Sequence, residues 1–441
     1  MKKWIRYIVI FIFVFCSYEF FGFPNMYGDP INNYMFSHAI VMGEVPYLDF
    51  NTISTPLYAF LMAIGLLFFD NYLMFVIEQS LLVTIMFYFL FELYGKKCYL
   101  VLLVICLFAF FGINATYNFL ALFFLVILLY LEKKYSEKDY LIGFVIGCTI
   151  LSKHTIGCLL FLPSLFYYFK DIKKIGKRIV GILIPCTIFF IYLLVNNAVY
   201  PFINLCFLGL FDFSSKNGNV FSVYVLFSLV LFLIQFFITI KKKNDIRNCY
   251  LMMGIAFMIP LFDFQHFAIY MICFVIQLLP FLQYREDYFG NVAAICSVVV
   301  SIFLFINYCI LLKPVFSTEL SHFQYSLVSR FDYSKSLEAY DFFDRYENKL
   351  LLTYSSVPYD VSRDYPITYF NIFMKGNFGY DGSRQMIEKI QNMENIYIIV
   401  DMRQYQIRSI YNQYDKTIVK YVIDHYEKVD TWKDFVVYYK N

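Results

Sequence analysis

Apolar runs broken by short, mostly basic punctuation fill the chain as far as residue 312. They fall near 4–23, 72–94, 98–112, 115–131, 139–152, 155–169, 179–199, 220–240, 249–263, 266–283 and 291–312. Continuous apolar stretches of this kind predict membrane-crossing helices, about eleven of them. Several are only about fifteen residues long, short of the roughly twenty that a perpendicular span needs, so neighbouring helices or irregular ends must complete them. A twelfth stretch, 57–69, is shorter still and is expected to lie along the membrane face as a juxtamembrane helix.

The lysines and arginines decide that last point. Lys2, Lys3 and Arg6 come first, then Lys96 and Lys97, then Lys133, Lys134 and Lys138. Lys170, Lys173, Lys174, Lys177 and Arg178 follow, then Lys241, Lys242, Lys243 and Arg247, and lastly Arg285. If 57–69 does not cross, all these clusters face one side, which the positive-inside rule makes cytoplasmic. Only Lys153 and Lys216 among the basic residues before 313 then face outward. Counting 57–69 as a crossing would invert every later loop.

Composition agrees with lipid as the main solvent, with 60% hydrophobic residues, 16% charged residues and a mean hydropathy of +0.61. The net charge of +3 averages a basic inner side with a nearly balanced tail, so it names no partner. The first run carries a basic flank like a signal peptide but no small-residue cleavage site, and is expected to be a retained helix with a cytoplasmic N-terminus. The eleven cysteines fall almost wholly within apolar runs, where thiols serve as small apolar residues rather than disulfide partners. The richness in Phe, Tyr, Ile and Lys fits a bacterial source.

From 313 onward charges recur every few residues and apolar runs shrink to four to six. Strands are expected at 350–354, 396–401 and 435–439, and helices at 382–393 and 413–426. The pattern predicts an external α/β domain, 313–441, packed over the first outer loop and following a membrane domain, 1–312.

That outer loop, 24–71, holds most of the candidate chemistry. It reads Phe23-Pro24-Asn25-Met26-Tyr27-Gly28-Asp29-Pro30, then His38-Ala39, then Gly43-Glu44-Val45-Pro46-Tyr47-Leu48-Asp49, and finally Ser54-Thr55-Pro56-Leu57-Tyr58. This order resembles the first external loop of the GT-C superfamily of polytopic glycosyltransferases. The branch is the bacterial one related to protein O-mannosyltransferases, aminoarabinose transferases of lipid A and rhizobial core-polysaccharide transferases. The resemblance covers the loop closely, the helix pattern generally and the tail loosely.

The resemblance implies an inverting glycosyltransferase. Such an enzyme moves a sugar from a polyprenyl-phosphate donor to an envelope polysaccharide, lipid or protein at the outer face of the membrane. Such a reaction needs a carboxylate for the acceptor proton and a cation for the departing phosphate. Asp29 matches the family's catalytic position, and Asp49 its second loop aspartate. Many relatives carry another acid directly after the first. Here Pro30 takes that place, so a divalent metal stays an open question and no cofactor is assigned. Asp followed by Pro is also what a helix N-cap with Pro at its first position looks like, with Gly43 as the stop.

Lys153 stands alone between two apolar runs and resembles the family's lysine at the outer end of a helix hairpin, where it meets the donor phosphate. A lysine snorkelling to the interface is its bland alternative. His266, on an outer turn, is a second phosphate candidate. Glu78, the acidic residue deepest within an expected crossing, and His38 are possible substrate-orienting groups. No zinc-type His/Cys spacing, phosphate-cradling loop or dinucleotide signature occurs, and nothing calls for nucleic acid. A flippase or a membrane polysaccharide polymerase is the alternative class. A flippase should show repeats or several mid-membrane polar residues, and a polymerase large arginine-rich outer loops.

Overall fold

The computed structural model describes residues 3–18, 29–70, 72–110, 113, 115–210, 223–242, 245–259, 261–281, 341–343, 345–352, 373, 376–406 and 415–441. It is mostly helical, with a small four-stranded sheet near the C-terminus. The expected crossing at 291–312 lies outside the described residues.

The helices that precede the sheet begin with α1 (Lys3–Ser17), α2 (Asp29–Val41), α3 (Leu57–Leu66), α4 (Tyr72–Tyr94), α5 (Tyr99–Phe110), α6 (Tyr117–Lys134), α7 (Asp139–Ser152) and α8 (His154–Tyr167). Then come α9 (Ile172–Val195), α10 (Val199–Ile203), α11 (Val223–Lys241), α12 (Ile246–Met252) and α13 (Phe264–Leu278). Four stretches are long and apolar enough to cross a membrane, namely Leu73–Ala109, Ile172–Val195, Val223–Lys241 and Phe264–Phe281. They mark a multi-pass membrane protein.

The first of these stretches is two helices. Gly95 adopts a left-handed φ of +62°, which a side chain would resist, and the chain doubles back there. Arg6 and Tyr7 at the start of α1 pack on Phe91 near the end of α4. Phe91 also meets Tyr99 at the start of α5, and Ser17 at the end of α1 meets Cys106 late in α5. So α4 and α5 are antiparallel.

The same alternation continues along the chain. Lys133 donates to the Leu93 carbonyl (2.8 Å), and Lys174 to the Ser136 carbonyl (2.9 Å). Arg178 bonds Asp139 and Glu132, and Lys242 lies over the Phe281 ring. These contacts gather the described basic clusters at one end of the bundle. Lys153, the turn before α13 and the loop between α2 and α3 occupy the other.

α3 runs across the bundle rather than along it. Tyr58 is hydrogen-bonded by Gln79 (3.0 Å), while the Gly65 amide donates to Glu78 (2.7 Å). Two points roughly 10 Å apart on α3 thus meet consecutive residues of α4, which requires a transverse crossing. Ile64, Leu67, Phe68 and Phe69 stay exposed along this stretch, as an apolar face lying against lipid would.

α7 and α9 approach closely because glycines line their contact. A Cβ at Gly143 would fall 2.0 Å from the Arg178 carbonyl oxygen, and one at Gly181 would fall 2.2 Å from that of Tyr140. The Gly143-x-x-x-Gly147 spacing is the small-residue pattern that lets two helix backbones pack tightly in lipid. Nine cysteines lie among the described residues, all free.

In the C-terminal part, β1 (Lys349–Leu352) pairs parallel with β2 (Ile396–Asp401) across a connection containing helix α14 (Gly382–Gln391). α15 (Met402–Gln406) and α16 (Lys416–His425) precede a hairpin of β3 (Glu427–Trp432) and β4 (Phe435–Lys440). The sheet order is β1-β2-β4-β3, with β2 and β4 antiparallel. Three strands and both main helices match the alternation in the sequence. β3 did not announce itself, because Glu427 to Trp432 reads as polar; it is an outer strand whose residues are half-buried or exposed. Leu350, Leu352, Ile398 and Val400 face Met386, Ile390, Ile418 and Val422 in one core.

This unit touches the loop end of the bundle. Asn51 donates to the Asn377 carbonyl (2.8 Å), and the Tyr380 amide donates to Asn204 (3.0 Å). Gly379 is required there by its left-handed φ of +82°, and it packs directly on the Asn204 side chain.

Candidate functional site

The loop end is built from the turn at 43–50, the transverse α3, the α7–α8 break and the turn entering α13. α2 starts at Asp29, with Pro30 in the first turn, and stops where Gly43 takes a φ of +90° and bonds back to Ile40. Asn33, one turn after Asp29, lines a small cavity together with Pro46, Phe50, Thr55, Tyr58 and Tyr117. Asp29 therefore opens the helix that borders this cavity.

Lys153 interrupts α7 and α8 in extended backbone (φ −153°, ψ 104°). It is 5% exposed, which removes the snorkelling alternative, since its ammonium points into protein. Nζ donates to Asn118 Oδ1 (2.8 Å) and to the Phe257 carbonyl (2.9 Å). The Tyr117 ring stands 6.0 Å away, and Thr55 ties the loop to the same helix end through the Ile150 carbonyl (3.2 Å). Lys153, Tyr117 and the loop cavity are therefore neighbours.

His266 is buried and committed. Its Nδ1 lies 2.7 Å from Asp263 Oδ1, and its backbone amide donates to the same oxygen (2.9 Å), so Asp263 caps α13. Burial pushes the Asp263 carboxyl up. The His266 ring and amide, helped by Lys153, outweigh that and hold it below the ordinary carboxylate value. His266 approaches the site already bonded to Asp263.

The other candidates have local partners. Asp49 is exposed and accepts the Val45 amide (2.7 Å), closing its own turn. His38 Nδ1 lies 2.5 Å from Asp70, linking α2 to the segment after α3. Glu78 holds the Gly65 amide and so fixes the end of α3. Asp49, His38 and Glu78 shape the loop, whereas Lys153 and the Asp263–His266 pair stand at the α7–α8 and α13 ends beside it. No cluster of three metal-ligating side chains occurs among the described residues.

Four participants were not singled out from the sequence. Asn118 and the Phe257 carbonyl hold Lys153, Asp263 holds His266, and Glu44 adjoins Asp49. Asp263 had a legible signal, a helix-capping residue three positions before His266. Asn118 had only its place in the first turn of a helix, and a backbone carbonyl has no signal at all.

Burial, with the nearby Asp49 charge, raises the Glu44 carboxyl to about 7. An unfolded Glu44 releases its proton at lower pH than the folded one. Between the ordinary carboxylate range and about 7 the folded state thus binds more protons, and stability falls as pH rises. Glu44→Gln is expected to raise the melting temperature at pH 8 relative to wild type and to leave it nearly unchanged at pH 5. For a half-exposed group the gain is on the order of 1 kcal/mol. Thermal unfolding at both pH values checks this, and an equal shift at both contradicts it.

No family model, curated protein or solved structure matches the chain. The functional reading therefore rests on the residues themselves and on the loop resemblance.

Proposed function

We propose that the chain is an inverting glycosyltransferase of GT-C type, with about eleven crossings and the loop end of its bundle at the outer face of the cytoplasmic membrane. It moves a sugar from a polyprenyl-phosphate donor to an envelope glycan, lipid or protein. The observation that carries this reading is the convergence of the loop cavity, with Asp29 opening its helix, and the buried Lys153 at the end away from the basic clusters. By the positive-inside rule that end is extracytoplasmic, where lipid-linked sugars are consumed.

In this reaction the acceptor hydroxyl oxygen bonds to the anomeric carbon as the bond from that carbon to the phosphate oxygen breaks. The acceptor proton passes to the Asp29 carboxylate. Polyprenyl phosphate leaves with the bonding pair, and its growing charge is met by Lys153, held ready by Asn118 and the Phe257 carbonyl. The Asp263–His266 pair borders this position and tunes it rather than bonding the acceptor.

The test is incubation of the purified chain with a panel of polyprenyl-phosphate sugars, following sugar release and transfer. Wild type is expected to consume at least one donor and Asp29→Asn none. A wild type that leaves every donor intact, or an equally active variant, ends the proposal.

A further inference from the structure

The turn at 46–50 has two sides. Pro46 and Phe50 face the small cavity beside Tyr117, while Tyr47 and Leu48 face a second cleft of about 180 Å³. Its opposite wall comes from the C-terminal unit, where Phe378, Gln385 and Lys389 meet Tyr200 and Asn204 of the bundle. The cleft therefore lies between the two parts of the chain, one turn's thickness from the candidate site.

The turn is held in an unusual state. Tyr47 has a φ of +72°, a strained region for a bulky side chain, and it is fully buried with its hydroxyl donating to the Ser54 carbonyl (2.9 Å). Such strain persists where surrounding structure enforces it, and it concentrates at functional sites. Here it presents the turn to both cavities at once.

The lining is specific in kind. Leu48, 41% exposed, and the Tyr200 ring, 67% exposed, give the accessible apolar surface, with the buried Phe378 and Tyr47 rings behind it. Gln385 brings an amide and Lys389 an ammonium, and no carboxylate lines the cleft among the described residues. A ring that covers an apolar face, with an amide and an ammonium to meet hydroxyls at its edges, is the complement of a sugar ring. A volume this small admits a monosaccharide unit and not a polyprenyl chain.

We propose that this cleft binds one neutral sugar unit of a glycan acceptor and thereby positions the acceptor's reactive hydroxyl on the other side of the Tyr47 turn. The class of ligand follows from the lining. Only its designation as acceptor rests on the glycosyltransferase reading.

Two variants test it in the full-length, membrane-reconstituted chain. Gln385→Trp fills the cleft, and Tyr200→Ala removes an exposed ring that supports no core. The probes are neutral tetrasaccharides of hexose and of N-acetylhexosamine, with binding followed by saturation-transfer NMR. Wild type is expected to bind at least one of them, and each variant about tenfold more weakly, while donor hydrolysis stays within twofold of wild type. Absence of saturation transfer to wild type, or equal binding by wild type and both variants, overturns the cleft. Loss of donor hydrolysis in both folded variants also overturns it, because the cleft would then serve the donor. Wild-type saccharide binding without consumption of any lipid donor upholds the cleft and removes the enzyme proposal instead.

Discussion

Arg178→Ala is expected to be the most destabilising single change in the bundle, costing about 3–5 kcal/mol. Arg178 is fully buried, and its guanidinium donates to Glu132 (2.7 Å), Asp139 (3.0 Å), the Ser164 hydroxyl (2.8 Å) and the Tyr250 hydroxyl (3.1 Å). Tyr250 donates in turn to Glu132 (2.9 Å), so one cation joins groups from α6, α7, α8, α9 and α12. Removing it leaves the Glu132 carboxylate buried without its counter-charge, which is far worse than losing an attraction. The physics also predicts a rescue. Arg178→Met combined with Glu132→Gln removes the cation together with its more deeply buried carboxylate, while Asp139 keeps Lys174 at 3.8 Å, and should recover at least half of the loss. Thermal unfolding in detergent micelles measures both. If Arg178→Ala melts with wild type, the network contributes nothing to stability, and if the double variant melts with Arg178→Ala, the uncompensated charge was not the cause.

Arg178 also shows where reading the sequence stopped. Its sign and its side of the bundle were legible, because clusters of lysine and arginine between apolar runs obey a simple electrostatic rule. Its partner was not, because Glu132 lies 46 positions earlier and nothing local couples the two. Counted as a free positive charge it overstates the asymmetry at that end, as does Arg247, which Asp245 engages at 2.6 Å. The doubling back of the chain between α4 and α5 was foreseen from Lys96 and Lys97, although hydropathy alone gives one unbroken stretch there. The length of each crossing was less legible. The 249–263 run is an α-helix only to Met252, and its remainder to Met258 is a tighter 3-10 turn. That change ends with the Phe257 carbonyl beside Lys153, so the irregularity and the candidate site are one feature.

The loop tells a similar story. Order along the chain was enough to expect a short helix from Asp29, a stop near Gly43 and a turn at Pro46 to Asp49. Sequence order did not say which carboxylates would be occupied. Asp49 closes its own turn and Glu78 anchors α3, both through backbone amides that carry no side-chain signature. His38 turned to Asp70, 32 positions away along the chain. Pairings of that kind follow from the transverse setting of α3, a tertiary property.

Lys153 is where the chemical proposal and the fold can be pulled apart. Its ammonium is bonded to Asn118 and to the Phe257 carbonyl, so a purely structural role predicts that any donor filling those two bonds will serve. Lys153→Gln supplies such a donor without a charge. On the catalytic reading it should melt within a few degrees of wild type yet consume the lipid donor about 10²–10³-fold more slowly, the usual loss when one stabilising group at a departing anion is removed. Lys153→Met removes donor and charge together. It should lose turnover to the same degree and also cost about 1–3 kcal/mol, because the Asn118 oxygen and the Phe257 carbonyl are left buried without a partner. The contrast between the two variants carries the inference. If Lys153→Gln turns over donor at the wild-type rate, the cation does not meet the leaving phosphate, and its burial serves only to hold α6, the α7–α8 break and the 3-10 turn after α12 together. If both variants unfold but donor turnover per folded molecule is unchanged, the conclusion is the same. Slow turnover in a stable Lys153→Gln leaves the charge itself as the quantity the reaction needs.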